Sequence, residues 1–473
     1  MLAAYDELLS HHRQLQLLTS TAEVLSWDQE TGMPTGGGDL RARQLALLAE
    51  LVHTRQTDTR IQGWLATCEA DGELAADPQA AANVRGWRRD YARATRLPVA
   101  LVAELAEHES AAQQAWAQAR RKSDYASFAP LLERMLELQR SKADCLRQDG
   151  QTRWDALADL YEPGMNAADL RALFGPLRER LVQLRLRLEE HGTRPDDSFA
   201  DIEFAEGSQE AFVRFVLRAM GFDFERGRLD RSAHPFCTGS GNDVRLTTRF
   251  ARNNVLDALG STMHEGGHGL YEQGLEGRWA GTPMGQAVSL GIHESQSRLW
   301  ENHVGRSQAF WQWCRPVART HLGNRVEAYD AERLFRAANV VTPSAIRVEA
   351  DEATYDLHVM VRFALETDLI DEELSVGDLP ERWNQLYREQ LGVEIPDDRT
   401  GCLQDVHWSC GLFGYFPTYT LGNLYAAQFA AAAHVALPDL DEQLAKGEFR
   451  PLRRWLTDNV HRHGRCHAPG ELC

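Results

Sequence analysis

His264-Glu265-Gly266-Gly267-His268 is the stretch from which the fold and the chemistry of this chain follow. Residues four apart on an α-helix project from nearly the same face, so His264 and His268 can present two imidazole nitrogens to one metal ion. Glu265 would then lie beside that ion, where a carboxylate can act as a general base. This spacing is typical of zinc metallohydrolases, and it predicts that the stretch is helical.

Two glycines interrupt this predicted helix at positions 266 and 267. Each glycine inside a helix costs about 1 kcal/mol relative to alanine. Close approach of another backbone or of a substrate would justify that cost. We therefore expect the helix to be tightly packed and partly buried.

A catalytic zinc site needs a third protein ligand and one open position for water. A third histidine of the metzincin type would fall on Gly274, so that pattern is excluded. The sequence favours a glutamate from a second helix, and Gly291–Trp300 is predicted to be that helix, with Glu294 as the ligand. Glu272 and Glu276 are alternatives, although each would have to bend back onto a metal that its own helix flanks.

Composition indicates a folded protein without a nucleic-acid partner. The chain has 473 residues, of which 43% are hydrophobic and 25% charged, and it lacks linkers and repeats. We predict a mainly α fold in a single domain over residues 1–473, with a helical scaffold in about 1–220, the sheet and zinc site in about 221–430, and C-terminal helices in about 431–473. The net charge of −18 argues against nucleic acid and anionic membrane surfaces as partners.

Local patterns add three expectations. Alternation of Val244, Leu246 and Thr248 predicts a small antiparallel β-sheet just before the zinc helix, whose edge could pair with an extended peptide. The run from Glu332 to Leu369 is predicted to be helical, with Pro343 setting a helix start and Arg347 in an early turn. Eight scattered cysteines, no signal-peptide pattern and no membrane span predict a cytoplasmic location.

Seven motifs together resemble the carboxypeptidase Taq-like family of zinc metallocarboxypeptidases, and the resemblance covers nearly the whole chain. They are Trp27-Asp28-Gln29-Glu30 with Met33-Pro34, His234-Pro235-Phe236, Asp243-Val244-Arg245-Leu246-Thr247, the stretch from His264 to His268, His293-Glu294-Ser295-Gln296, Ile346-Arg347 with Ala350-Asp351, and the segment from Gly401 to Trp408.

The resemblance implies a fold, an activity and partners. It implies a large helical domain with a deep cleft and a small sheet at the zinc site, similar to the architecture of angiotensin-converting enzyme and neurolysin. The family's members act as homodimers on peptide or protein C-termini and release single amino acids with broad specificity, disfavouring proline. One Zn²⁺ per chain is implied, and Co²⁺ can substitute.

The resemblance also assigns site residues. It makes His264, His268 and Glu294 the zinc ligands and Glu265 the general base. Arg347 matches the arginine that holds the terminal carboxylate of the substrate.

Four further residues are candidates for contacts with the substrate. The spacing of His407 and Tyr415 resembles the catalytic histidine and tyrosine of the angiotensin-converting enzyme group, and both could donate to the oxyanion, with Tyr419 as the alternative to Tyr415. His234, expected on the sheet edge, could hold a substrate carbonyl. A set of aspartates could orient histidines, namely Asp257, Asp351 and Asp405.

Two departures and two rival functions accompany the resemblance. The motif contains two glycines where some relatives have a bulkier residue, and the chain ends at Cys473 where relatives usually continue. One rival is a zinc oligopeptidase or dipeptidyl carboxypeptidase of the same fold. The other is a non-catalytic helical protein that binds peptides.

Overall fold

The computed structural model describes residues 2–473, and α-helices make up most of it. Ten helices precede the sheet: α1 Ala3–Thr31, α2 Gly38–Gln56, α3 Arg60–Glu69, α4 Gly72–Ala76, α5 Pro78–Arg96, α6 Val99–Lys122, α7 Tyr125–Leu146, α8 Arg153–Ala158, α9 Ala167–His191 and α10 Glu206–Met220. Ten follow it: α11 Val255–Gly274, α12 Leu290–Arg298, α13 Gln308–Leu322, α14 Ala331–Ala338, α15 Glu352–Ile370, α16 Leu379–Leu391, α17 Pro417–Ala436, α18 Leu440–Ala445, α19 Arg450–Asn459 and α20 Pro469–Leu472. The predicted mainly α fold class is confirmed.

Three short strands form one sheet in the order β1-β3-β2: β1 Gly227–Arg231, β2 Cys237–Ser240 and β3 Asp243–Thr248. β2 and β3 are antiparallel, with Thr238 opposite Arg245. β1 and β3 are parallel, with Leu229 opposite Leu246. The chain reverses direction between β1 and β2 and again in the tight turn between β2 and β3, so β3 runs in the direction of β1. The predicted small sheet is present, and it is mixed, with its antiparallel pairing confined to β2 and β3.

The zinc-motif stretch is helical, as predicted, and its helix α11 extends beyond the motif on both sides. Asn254 caps its N-terminus by accepting a hydrogen bond from the backbone N–H of Asp257. The helix ends at Gly274. Met263 and Leu270 are buried in the same hydrophobic core as Leu246 of β3, so the helix is held against the sheet.

The chain divides into two compact units. Unit 1 contains the chain up to Ala94 together with Pro195–Ala338 and Gly422–Cys473, and unit 2 contains Thr95–Arg194 and Asn339–Leu421. Each unit is thus assembled from segments that are distant in sequence. The assignment of residues 1–473 to one functional domain stays a prediction.

The predicted helical run from Glu332 to Leu369 is wrong in its middle. α14 ends at Ala338 and α15 begins only at Glu352, so Arg347 lies in a 3-10 turn and not in an α-helix. Side chains satisfy the backbone here: Gln404 accepts from the N–H of Arg347, and Asp351 caps α15 by accepting from Thr354 N. The tertiary bond from Gln404 and the local cap from Asp351 replace the helical bonds that the local pattern favoured.

Two observations bear on the environment of the protein. Within residues 2–473, no helix is both long enough and apolar enough to cross a lipid bilayer. All eight cysteines are free thiols.

Candidate active site

α11 presents the first two candidate ligands on one face. The imidazole rings of His264 and His268 lie 4.9 Å apart between centroids, one helical turn from each other. Glu265 is 7% exposed. The helix therefore carries two nitrogen donors and a neighbouring buried carboxylate.

The two glycines of the motif permit close helix packing, as expected. A Cβ added at Gly267 would lie 2.5 Å from the carbonyl oxygen of Gln296 and 2.6 Å from Cα of Ser297, both in α12. A Cβ at Gly266 would lie 2.5 Å from Cδ2 of Leu217. Glycine thus allows α12 to approach α11 closely enough for Glu294 to reach the histidines.

The three predicted ligands converge within unit 1. One donor atom from each of His264, His268 and Glu294 lies within 4.8 Å of the other two. The Oε2 atom of Glu294 is 3.7 Å from Nε2 of His264 and 3.5 Å from Nε2 of His268. Two imidazole nitrogens and one carboxylate oxygen form the donor set that catalytic zinc sites use, so the side chains fit a Zn²⁺ or Co²⁺ ion.

Two charged side chains orient these ligands, and the sequence reading missed both. Nδ1 of His264 donates to Oε2 of Glu301 over 2.8 Å, which leaves Nε2 of the ring to face His268 and Glu294. Arg298 donates to Oε1 of Glu294 over 2.7 Å and to Oε2 of Glu301 over 3.2 Å. Glu294, Arg298 and Glu301 follow one another at helical spacing, which was the available signal.

His268 is held differently. Its ring stacks on that of His293 with centroids 4.5 Å apart, and His293 donates to Glu272 over 3.0 Å. Within residues 2–473, Nδ1 of His268 is buried and has no hydrogen-bond partner. Glu272 therefore holds His293, the residue on which the His268 ring stacks. Among the described residues, neither Glu272 nor Glu276 belongs to the cluster of three donor atoms.

Burial and neighbouring charges shift the pKa values of this cluster. Burial raises the pKa of Glu265 to about 7. Burial would lower the pKa of His264, but the carboxylates of Glu294 and Glu301 raise it to about 9. Burial lowers the pKa of His268 to about 3. Burial would raise the pKa of Glu294, but Arg298 and His264 hold it well below its usual range.

Arg347 lies in unit 2, where it is buried and bonded. Its Nε and Nη2 atoms donate to Oδ1 of Asp405 over 3.1 and 2.9 Å, and its Nη1 atom donates to the hydroxyl of Tyr355. Arg362 donates to the other oxygen of Asp405 over 2.6 Å. Two guanidinium groups thus share one carboxylate, which leaves this cluster with one excess positive charge. The guanidinium of Arg347 also lies 4.9 Å from the ring centroid of Tyr419.

His407, Tyr415 and Tyr419 form an aromatic group in the same unit. Nε2 of His407 is 3.2 Å from the hydroxyl of Tyr419, and the rings of His407 and Tyr415 lie 5.4 Å apart. Burial lowers the pKa of His407 to about 3, so its imidazole is neutral at physiological pH. Both tyrosines are within ring contact of each other, at 5.5 Å.

His234 lies outside the strands. It is exposed in the loop between β1 and β2, where its carbonyl oxygen accepts a hydrogen bond from Ser232. The structure thus groups the nine sequence-predicted site residues as His264, Glu265, His268 and Glu294 in unit 1, Arg347, His407, Tyr415 and Tyr419 in unit 2, and His234 in a loop of unit 1.

Comparisons with known proteins give matches along almost the entire chain. A statistical description of the carboxypeptidase Taq (M32) metallopeptidase family matches residues 7–473. The thermostable carboxypeptidase 1 of Thermus thermophilus is 46% identical over 99% of this chain and 94% of its own length. The M32 carboxypeptidase of Deinococcus radiodurans R1 aligns with a TM-score of 0.96 and 40% identity, covering 100% of this chain and 95% of that one. The metallocarboxypeptidase 1 of Trypanosoma cruzi aligns with a TM-score of 0.95 and 34% identity, covering 99% and 95%.

Proposed function

Because this chain belongs to the carboxypeptidase Taq (M32) family of metallopeptidases, we propose that His264, His268 and Glu294 hold one catalytic Zn²⁺ and that Glu265 is the general base. The protein is a metallocarboxypeptidase, with relatives of that activity over its full length. The observation that carries the zinc assignment is the convergence of the three donor atoms within 4.8 Å of one another.

The chain's own residues would perform the proton transfers. A bound Zn²⁺ acts as a Lewis acid that activates water and polarises a peptide carbonyl. Glu265, with a pKa near neutrality, accepts a proton from the attacking water and returns it to the leaving amine. Glu301 and Arg298 hold His264 and Glu294 in their binding orientations during these transfers.

Arg347 is the proposed site for the terminal carboxylate of the substrate. The excess positive charge that it shares with Arg362 and Asp405 is buried, and a buried charge is stabilised when a counter-ion binds. A guanidinium can pair with a carboxylate through two parallel hydrogen bonds. The buried positive charge supports the proposal that the protein is an exopeptidase and selects substrates with a free C-terminus.

His407 and Tyr415, with Tyr419 as the alternative to Tyr415, are the proposed donors to the oxyanion. A neutral imidazole and a phenol hydroxyl can each donate a hydrogen bond to the negative charge that develops on the carbonyl oxygen. His234 stays a candidate for holding a substrate carbonyl. Its exposed loop position gives it less support than the buried residues have.

Substitution of Glu265 tests the base. Glu265→Gln keeps the shape of the side chain but cannot accept the proton, so we expect unchanged metal content and a loss of kcat of about 10²-fold to 10⁴-fold. Metal content is measured by elemental analysis and kcat with a defined peptide. His264→Ala is the matched comparison, because it should lose the metal as well. Near-normal turnover of Glu265→Gln would refute the assignment.

Substitution of Arg347 tests the carboxylate site. Wild-type protein should cleave a free peptide and leave its C-terminally amidated form nearly untouched. Arg347→Met removes the charge with little change in volume, and we expect kcat/KM for the free peptide to fall by about 10-fold to 100-fold. If the variant discriminates between the two peptides as strongly as wild type does, Arg347 does not bind the carboxylate.

Three finer properties belong to the same proposal. The products are single amino acids, released with broad specificity and with proline disfavoured, which mass spectrometry of a timed digest would show; internal fragments or dipeptides would contradict it.

The chain acts as one domain and assembles as a homodimer, which sedimentation analysis tests. The cytoplasm is its proposed location, supported by its eight free cysteines.

A further inference from the structure

Glu366 is a buried carboxylate in α15 to which neither the motif nor the metal cluster gives a role. Its side chain is fully buried. Oε1 accepts from Nε1 of Trp154 over 2.8 Å and from the backbone N–H of Gly414 over 2.6 Å, while Oε2 accepts from Nε1 of Trp408 over 3.0 Å. All three donors are uncharged N–H groups. Burying a carboxylate without a cationic partner is costly, so these three bonds must satisfy it.

Two of the three donors stand next to candidate catalytic residues. Trp408 directly follows His407, and Gly414 directly precedes Tyr415. One carboxylate therefore anchors both ends of the 407–415 segment, and that segment presents the His407 and Tyr415 rings 5.4 Å apart.

The third donor fixes the segment to a helix. Trp154 belongs to α8, and Gly414 packs against the same helix: with φ of +80°, a Cβ there would lie 2.5 Å from the backbone nitrogen of Ala158. The ring of Tyr415 then packs edge-on against Tyr161, at 5.2 Å. Glu366 and α8 thus both contact Gly414, the residue directly before Tyr415.

From these contacts we infer that Glu366 is a positioning residue, which sets the placement of His407 and Tyr415 through Trp408 and Gly414 without touching the substrate. The inference rests on the proposed roles of His407 and Tyr415 as oxyanion donors. Displacing an oxyanion donor by a fraction of an ångström slows the reaction without changing how the substrate ground state binds.

Glu366→Gln is the sharpest test, because it keeps the shape and reverses one bond. The amide oxygen can still accept from Trp154 and Gly414, but the amide nitrogen turns an N–H toward the N–H of Trp408. We expect kcat to fall by about 10-fold to 100-fold while KM stays within about twofold of wild type. Phe174→Leu is the control: Phe174 packs on Phe363 of the same helix, so the variant loosens α15 without contacting the segment and should keep its kcat.

A second substitution supplies a rescue. Trp408→Phe removes the donor that opposes the amide, so Glu366→Gln/Trp408→Phe should turn over faster than Glu366→Gln alone. Trp408→Phe by itself leaves Oε2 without its donor and should also lower kcat. If circular dichroism shows that Glu366→Gln does not fold, the single variant Trp408→Phe decides the test. A lowered kcat of Trp408→Phe at unchanged KM supports the inference, and a wild-type kcat overturns it.

The outcomes separate this inference from the function on which it rests. If Tyr415→Phe or His407→Ala lowers kcat but Glu366→Gln stays within about twofold of wild type, the positioning role is wrong and the proposed function stands. If Glu366→Gln and Phe174→Leu lower kcat equally, Glu366 is merely structural and the inference is overturned. If neither Tyr415→Phe nor His407→Ala lowers kcat, the oxyanion roles fail and the inference fails with them.

Discussion

Glu301 sets the tautomer of His264, a proposed metal ligand, from outside the predicted motif. By accepting the Nδ1 proton of His264, it holds the ring with Nε2 facing Glu294 and His268. Of the three aspartates that the sequence suggested for this role, Asp257 pairs with Arg249 and Asp351 caps α15, whereas Asp405 lies 4.0 Å from Nδ1 of His407. The orienting carboxylate was missed because it lies one residue beyond the predicted helix Gly291–Trp300, in a π-helical turn, Leu299–Val304, that extends α12.

Replacing Glu301 should weaken metal binding. Glu301→Gln keeps an acceptor near His264 but removes the negative charge, and loss of such an outer partner lowers metal affinity by about 10-fold to 100-fold. Competition with a chromophoric chelator measures the dissociation constant. Glu332→Gln, which removes an exposed carboxylate paired with Arg336, should bind metal as wild type does. Equal affinity in both variants would show that Glu301 has no such role.

The donors of the metal cluster could be predicted from the sequence because helix geometry alone decides their placement. His264 and His268 share a face in any regular helix, and Glu294 needed only a second helix at the right distance along the chain. The partners of Arg347 could not be predicted in this way. Asp405 lies far from it in sequence, and their bond depends on how the whole of unit 2 packs.

At the level of elements, the contact between α11 and α12 depends on one missing side chain. Gly267 lets the backbone of Gln296 and Ser297 approach to a distance that no larger residue allows. The glycine lowers the helix propensity of α11, but it allows α12 to place Glu294 opposite the two histidines. The prediction of tight packing from the sequence was correct here, because a glycine that is unfavourable within a helix indicated that another backbone approaches that helix closely.

Adding one methyl group to this contact should disturb both stability and metal binding. Gly267→Ala forces α12 away from α11, and we expect the free energy of unfolding to fall by about 1–3 kcal/mol, as in other overpacked cores. Urea unfolding measures the loss, and chelator competition should show weaker metal binding.

Gly260 supplies the control within the same helix. A Cβ there meets no atom within 4 Å, so Gly260→Ala should raise the free energy of unfolding by about 0.5–1 kcal/mol through its better helix propensity. If the two alanine variants were equally stable, the close approach of α12 would not constrain position 267.

The break between α14 and α15 shows where an element could not be predicted. Local periodicity favours a helix across the whole run, but Gln404, distant in sequence, binds the backbone of Arg347 and of Ala345. Such bonds leave no mark in a local window. The tertiary structure therefore overrides the helical pattern there.

At the scale of the whole molecule, a buried charge cluster links stability to pH. Burial would raise the pKa of Asp405, but Arg347 and Arg362 hold it well below its usual range. A carboxylate with a lowered pKa in the folded state stabilises the protein above its unfolded pKa of about 3.8. That stabilisation is lost as the pH falls below this value.

The free energy of unfolding of Asp405→Asn should therefore fall further below that of wild type at neutral pH than in acid. At pH 7 it leaves two buried guanidinium groups without a counter-ion, at a cost of about 3–5 kcal/mol. The difference from wild type should shrink as the pH falls through and below about 3.8.

Urea unfolding at pH 7 and pH 3 measures this difference. Asp144→Asn removes an exposed partner of Arg153 in the same unit and should cost less than about 1 kcal/mol. A constant difference between Asp405→Asn and wild type across this pH range would contradict the prediction.

The interleaved segments of the two units have a consequence for synthesis on the ribosome. Unit 2 ends at Leu421, so its last segment leaves the ribosome before the final segment of unit 1, which begins at Gly422. The three proposed metal ligands, His264, His268 and Glu294, are translated much earlier, by residue 294. For a long interval the nascent chain therefore contains all three proposed ligand residues while unit 1 is still incomplete. If synthesis stops before residue 422, the released polypeptide has these three residues but lacks part of the hydrophobic core around them.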